Sequence, residues 1–250
     1  MSGHSHAKTV KRVKEAEDKK RGKAFSKIAR VIILAAKEGG DDSSSNYKLK
    51  MAIDQAKQVN MPKENIERAI KKGTGELSTE KLEQFVFEAY GPEKTAIIIE
   101  GITDNKNRSL SEIKQILNQH NGKLAGAGSV KWLFERKGTI TINYKSQTTN
   151  YKKEDLELTA IEAGAEDIYW HEDLLFIYTK PEELEKVKRN LEEKDLPADE
   201  AGIEIESSSL DWVAKKTIEI EGKGKESCQK LFEALDENDA VQDIYSNLKI

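Results

Sequence analysis

The stretch that decides the fold runs from Thr139-Ile140-Thr141-Ile142, through Leu156, Ala160 and Ala163, to Glu166-Asp167-Ile168-Tyr169-Trp170 and Leu174-Leu175-Phe176-Ile177-Tyr178-Thr179, then Leu184, Val187 and Leu191, and last Ile203 to Ser209. Alternating β-branched and aromatic residues mark half-buried strands, because side chains point to opposite faces at successive positions. Apolar residues spaced by three and four mark helices that bury one face. The order is therefore β-α-β-β-α-β, the split pattern of a ferredoxin-like unit, complete within about residues 137–214.

Reading outward, the flanks look like two halves of a second such unit. Phe85–Tyr90 and Ala96–Glu100 are predicted strands joined at Gly91-Pro92. Ser109-Leu110-Ser111-Glu112 has the form of a capping box that opens a helix through Leu110, Ile113 and Leu117. A strand is expected around Val130–Phe134. On the far side, Thr217–Ile220, a helix with Cys228, Leu231 and Leu235, and Val241–Ser246 supply β-α-β again. Joined, the halves make a second ferredoxin-like domain with the first inserted into it.

The N-terminal part is helical. Phe25, Ile28, Ala29, Ile32, Ile33 and Ala36 form one stripe, which Gly39-Gly40 ends. Leu49, Ala52, Ile53, Ala56 and Val59 mark a second helix. Pro62 opens a third, with Ile66, Ala69 and Ile70 inward. The expected class is α+β: a basic helical domain (1–80), a discontinuous α+β domain (81–136 and 215–250) and an inserted ferredoxin-like domain (137–214).

The net charge of −4 conceals an asymmetry: residues 1–30 carry 10 Lys and Arg against 3 Asp and Glu, whereas residues 82–250 carry 22 against 34. A basic arm on an acidic body is the pattern of a chain that touches a polyanion with one end. In residues 2–23 only Val10, Val13 and Ala16 are candidates for burial, so that segment is expected to order on a partner. The longest apolar string near the start, Val31–Ala36, is too short to span a bilayer. Met1-Ser2-Gly3-His4 leads into lysines without the apolar core of a secretory signal. The single cysteine, Cys228, rules out an intramolecular disulfide and a cysteine metal cluster. These features point to the cytoplasm.

Motifs for catalysis are missing: there is no G-x-S-x-G, no H-E-x-x-H, and no nucleophile with an evident histidine partner. His4 and His6 lack the nearby carboxylate or thiol that a metal site needs. The glycine-rich run Asn121–Ser129 fits neither phosphate-binding fingerprint and reads as a helix end and strand lead-in. Asp104, Asn105, Asn107 and Arg108 join a strand end to a helix start, where backbone N–H groups attract anions, and form a candidate loop site beside the alternative of a plain turn. Trp132, Trp170 and Trp212 lie in or beside strand patterns and suit packing better than base stacking.

Several stretches together resemble one family. Met1-Ser2-Gly3-His4-Ser5, with Lys11, Lys14, Ala16, Asp18, Lys20-Arg21-Gly22-Lys23 and Phe25, is similar to the start of the YebC/PmpR proteins. Ala89-Tyr90-Gly91-Pro92 followed by Thr103-Asp104-Asn105-Lys106-Asn107-Arg108, then Gly128-Ser129-Val130-Lys131-Trp132-Leu133-Phe134 and Glu162-Ala163-Gly164-Ala165-Glu166-Asp167, matches it further along. The resemblance implies three domains, one helical and two α+β, and activity without a cofactor; no small-molecule substrate is expected. It implies either a DNA-binding transcriptional regulator or, as for the mitochondrial activator of cytochrome c oxidase translation, a factor acting on the ribosome at proline-rich stalls. The chain departs from the family at Ala7, where tryptophan is frequent, and at His6, where lysine is. No helix-turn-helix reader is evident, and a basic arm suits RNA backbone contact. The expected partner is thus ribosomal RNA, with promoter DNA as the alternative and a protein scaffold role as a third reading. The expected contact residues are His4, Lys8, Lys11, Arg12, Lys14, Lys20, Arg21 and Lys23.

Overall fold

The computed structural model describes residues 18–77, 81–147, 152–192 and 203–249. The class is α+β: three helices followed by two four-stranded antiparallel sheets, each with its own helices.

The helices are α1 (Asp18–Gly39), α2 (Tyr47–Gln58) and α3 (Lys63–Gly73). Their facing stripes bury Ile28, Ile32, Ile33, Ala36, Leu49, Ala52, Ala56, Ile66 and Ala69 in one cluster. The corner between α1 and α2 is held by Asn46. Its Oδ1 accepts from Leu49 N as the cap of α2, and its Nδ2 donates to the carbonyls of Ala35 and Gly40, each at 2.8 Å. One side chain thus satisfies the end of one helix and the start of the next. Gly73 lets α3 lie against α1, since a Cβ there would stand 2.5 Å from Ile33 O.

The first sheet takes strands from both ends of the chain. Its members are β1 (Glu83–Tyr90), β2 (Ala96–Thr103), β3 (Lys123–Ala125) and β8 (Val241–Ser246), in the order β3-β1-β2-β8. Helices α4 (Lys106–Gln119) and α7 (Gly222–Asp236) cover one face, where Phe85, Phe87, Ala89, Ile97, Ile99, Ile113, Leu117, Leu231 and Leu235 pack. Four antiparallel strands with two helices on one face share the layout of a ferredoxin-like sheet, but the chain order here is β-β-α-β, then α-β after the second sheet. Gly101 lies opposite Phe85, whose ring occupies the space a side chain at 101 would need. The same helical cluster reaches this sheet through Leu82 and Ile102.

The second sheet is continuous in sequence: β4 (Phe134–Asn143), α5 (Lys153–Ala163), β5 (Asp167–His171), β6 (Leu174–Thr179), α6 (Leu184–Glu192) and β7 (Ile205–Ala214). The strand order β5-β6-β4-β7 is that of the split pattern. Ile140, Ile142, Leu156, Ala160, Leu175, Ile177, Leu184 and Val187 form its core. Residues 134–216 form one compact unit, and the described residues before and after them form another.

Three expectations fail. Val130–Phe134 is not a strand of the first sheet. Lys131–Leu133 is a short 3-10 turn and Phe134 opens β4, while Lys123–Ala125 is the strand. Thr217–Ile220 contributes only a bridge between Ile218 and Leu248, because β1 takes the place left for a fourth strand. The helix after β2 starts at Lys106, capped by Asn105, and not at the Ser109 capping box. Ser109 is buried and donates instead to Thr103 Oγ1 at 2.8 Å.

Candidate nucleic-acid interface

Of the basic arm, His4, Lys8, Lys11, Arg12 and Lys14 lie outside the described residues, and Lys20 and Arg21 fall on the first turn of α1. Lys23, Lys27 and Arg30 recur at four- and three-residue spacing and so share one side of α1. Lys23 and Lys27 reach the C-terminal end of α7, and Arg30 reaches the turn just beyond it. Lys23 Nζ donates to the carbonyl of Glu237. Lys27 Nζ donates to Asp236 O at 2.7 Å and to its Oδ1 at 3.0 Å. Arg30 donates to Asp239 O at 2.5 Å and to Ile102 O at 3.4 Å. The last carbonyls of a helix lack internal partners and carry its negative dipole end, so cations there are favourable. Part of the N-terminal positive charge therefore has an internal use, and one N–H of Lys23 is committed to it. The spacing of the three cations was legible in the sequence. Their acceptors, more than 200 residues away, were not.

The candidate loop after β2 is a tightly bonded helix start. Asn105 Oδ1 accepts from Arg108 N at 3.0 Å, and Asn105 N donates to Thr103 Oγ1 at 3.0 Å. Arg108 pairs with Asp104 at 2.5 Å and lies 3.8 Å from Glu112. Asn107 is exposed on the first turn. Two carboxylates beside the Arg108 guanidinium engage it within the protein, which leaves less of its charge for an anion at this helix start.

The glycine-rich run does hold an anion, and it is the protein's own. Glu88 is buried on β1, and its carboxylate accepts from Gly128 N at 2.6 Å, Val130 N at 2.7 Å and Lys131 N at 2.9 Å. Burial alone would raise this carboxyl. The three backbone donors and the Lys131 charge outweigh it and hold the group below its ordinary 4.5. Sequence reading missed Glu88, since a glutamate in a strand looks like a solvent-facing residue. The signal was available in the run opposite, whose backbone N–H groups need an acceptor.

Cys228 is buried, and its thiol lies 3.4 Å from Thr95 Oγ1. Burial raises it above its ordinary value, the state of an inert structural thiol. Among the described residues no group of His, Cys, Asp and Glu is placed to hold a metal ion. No helix there is long and apolar enough to cross a membrane.

A helical N-terminal segment ahead of two ferredoxin-like sheets, one built from both sides of the other, defines a class of three-part α+β proteins. The family described as the TACO1/YebC protein N-terminal domain matches residues 5–76, and that described as the TACO1/YebC second and third domain matches residues 82–248. The chain is 43% identical to a probable transcriptional regulatory protein of Caldanaerobacter subterraneus subsp. tengcongensis, over all of this chain and 99% of that one. It is 43% identical to a protein of the same description from Thermotoga maritima, covering 94% of it. The crystal structure of a conserved hypothetical protein from Aquifex aeolicus superposes with a TM-score of 0.87 at 42% identity, over 98% of this chain and 97% of that one. The chain belongs to the TACO1/YebC family, and its relatives carry regulatory names.

Proposed function

We propose that this protein is a non-enzymatic, cytoplasmic regulator of gene expression that grips nucleic acid through its N-terminal arm, with ribosomal RNA as the principal target. The carrying observation is the charge asymmetry, +7 within residues 1–30 against −12 over residues 82–250. Lys8, Lys11, Arg12, Lys14, Lys20 and Arg21 neutralise phosphates, with His4 near the tip. Lys23 contributes with the N–H groups that its bond to Glu237 leaves over. Three parts act together: the basic helical domain (1–80), the α+β domain it precedes (81–136 and 215–250), and the inserted domain (137–214). The acidic body as a whole is repelled by the same polyanion, so the arm leads the approach. No cofactor takes part. The loop of Asp104, Asn105, Asn107 and Arg108 serves as a helix cap in this reading.

A second reading, promoter DNA, is favoured by the regulatory names of the relatives. Competition separates the two. Structured ribosomal RNA, promoter duplex and scrambled duplex of equal phosphate count are titrated at matched salt. Preference for RNA over both duplexes is expected. Preference for the promoter over scrambled duplex would transfer the assignment to transcription, since backbone contact alone does not distinguish duplex sequences.

A further inference from the structure

The outer face of the first sheet, opposite α4 and α7, presents two exposed aromatic rings held by one atom. Trp132 is 66% exposed, more than any other large apolar side chain among the described residues, and Tyr90 is 39% exposed. The Trp132 indole N–H donates to Ser129 O at 3.0 Å, and the Tyr90 hydroxyl donates to the same oxygen at 3.1 Å. Ser129 itself cannot drift, because the residues on either side, Gly128 and Val130, are fastened by their N–H groups to the Glu88 carboxylate. The rings are thus oriented in advance, which lowers the entropy lost when a flat ligand settles on them. Lys123 lies directly opposite Tyr90 in the strand register and shares its face, and Lys131 precedes Trp132; both are exposed. The acidic group at the centre, Glu88, is consumed by backbone donors.

We infer that Tyr90 and Trp132, flanked by Lys123 and Lys131, form a stacking platform for an unpaired nucleobase of single-stranded nucleic acid. Aromatic faces accept any base by stacking, and the neighbouring ammonium groups meet the phosphates on either side. Aromatic pairs also suit proline-rich peptides, but two lysines beside the rings favour a polyanion. The platform deepens the nucleic-acid reading, yet it fails or stands separately from the arm. Arm contacts weaken with salt, whereas stacking persists.

The test uses the full chain labelled with 5-fluorotryptophan, with the Trp132 resonance assigned through Trp132→Phe. The probes are an eight-nucleotide single-stranded RNA, its abasic counterpart and a polyproline peptide. RNA is expected to move the Trp132 signal and to leave Trp170 and Trp212 in place, and the abasic chain to leave all three. Trp132→Ala is expected to weaken RNA binding by about 5- to 150-fold, the usual range for loss of one base–aromatic stack, by a similar factor at every salt concentration. Trp132→Phe should keep most of the affinity, and unchanged thermal melting of both variants excludes misfolding. Three results would overturn the inference: RNA binding with an unmoved Trp132 signal, an equal response to the abasic chain, or a response to polyproline alone. A collapse of affinity in arm variants with the Trp132 response intact at saturating RNA would leave the platform standing.

Discussion

Glu88→Gln removes one charge and almost no volume, so it isolates the anion that organises residues 126–133. In the parent, one carboxylate oxygen accepts from Gly128 N and the other from Val130 N and Lys131 N. Glutamine has one carbonyl oxygen. Placed toward Val130 and Lys131, it keeps two bonds but makes both neutral, and it turns an NH2 toward the N–H of Gly128. Hydrogen bonds to charged groups contribute roughly 1.5–3 kcal/mol each against about 1 for neutral ones, and a stranded buried donor costs about 1–3 kcal/mol. Local relaxation and water at the exposed glycines offset part of this, so we expect a loss of about 2–3 kcal/mol. For a chain of this size, 1 kcal/mol corresponds to roughly 2–4 °C, giving a fall of about 4–12 °C in thermal melting. Hydrogen exchange localises the effect: protection should drop at Gly128, Val130 and Lys131 and stay unchanged in α2. The pH dependence follows from the lowered carboxyl. A depressed folded value means that Glu88 contributes stability above the ordinary 4.5, and that this contribution is lost as pH falls through the folded value. The gap between parent and variant should therefore be flat from neutrality down to about pH 5 and close in stronger acid. A melting temperature within 1 °C of the parent, with amide protection intact, would refute the claim that Glu88 fastens this run.

Further outcomes follow from the packing. Asn46→Ala strands the caps of two helices and should cost about 2–3 kcal/mol in urea unfolding; a change under 0.5 kcal/mol would contradict the two-ended role. Gly101→Ala would put a Cβ 2.2 Å from Phe85 Cζ and 2.2 Å from Ala240 O, so a loss of about 2–3 kcal/mol is expected by the same measurement. Lys27→Ala should cost about 1–2 kcal/mol, and that cost should persist in high salt because the lysine side chain is only 14% exposed.

Much of the architecture was legible because it rests on periodicity. Ile140 and Ile142 alternate with Thr139 and Thr141, and Leu184, Val187 and Leu191 recur at helical spacing; both patterns became buried faces. What escaped were places where something other than burial decides. Val130, Trp132 and Phe134 alternate as a strand would, but the N–H groups of Val130 and Lys131 go to a side chain and not to a neighbouring strand. The strand that does form there, Lys123–Ala125, is three residues long and flanked by glycine, too short for a pattern. Ser109–Glu112 has the spacing of a capping box, but Asn105 caps the helix four residues earlier. On the candidate site, composition revealed the basic arm, while the internal use of Lys23, Lys27 and Arg30 depended on where the chain returns after α7. The two aromatic rings on Ser129 O were equally hidden, because Tyr90 and Trp132 meet only through the strand pairing and the run that Glu88 holds.

In the proposed function the arm binds ribosomal RNA by charge. The most direct test is ribosome cosedimentation across a salt series, comparing the intact chain with one carrying Lys8, Lys11, Arg12 and Lys14 all replaced by glutamine. The intact protein is expected to pellet with ribosomes. If about five phosphates are neutralised, its affinity falls with log salt at a slope of roughly −3.5 to −4.5. The variant should pellet weakly, with a slope shallower by roughly 2.8–3.6. Equal pelleting of both forms, with the same slope, or no pelleting of the intact chain at low salt, would contradict it.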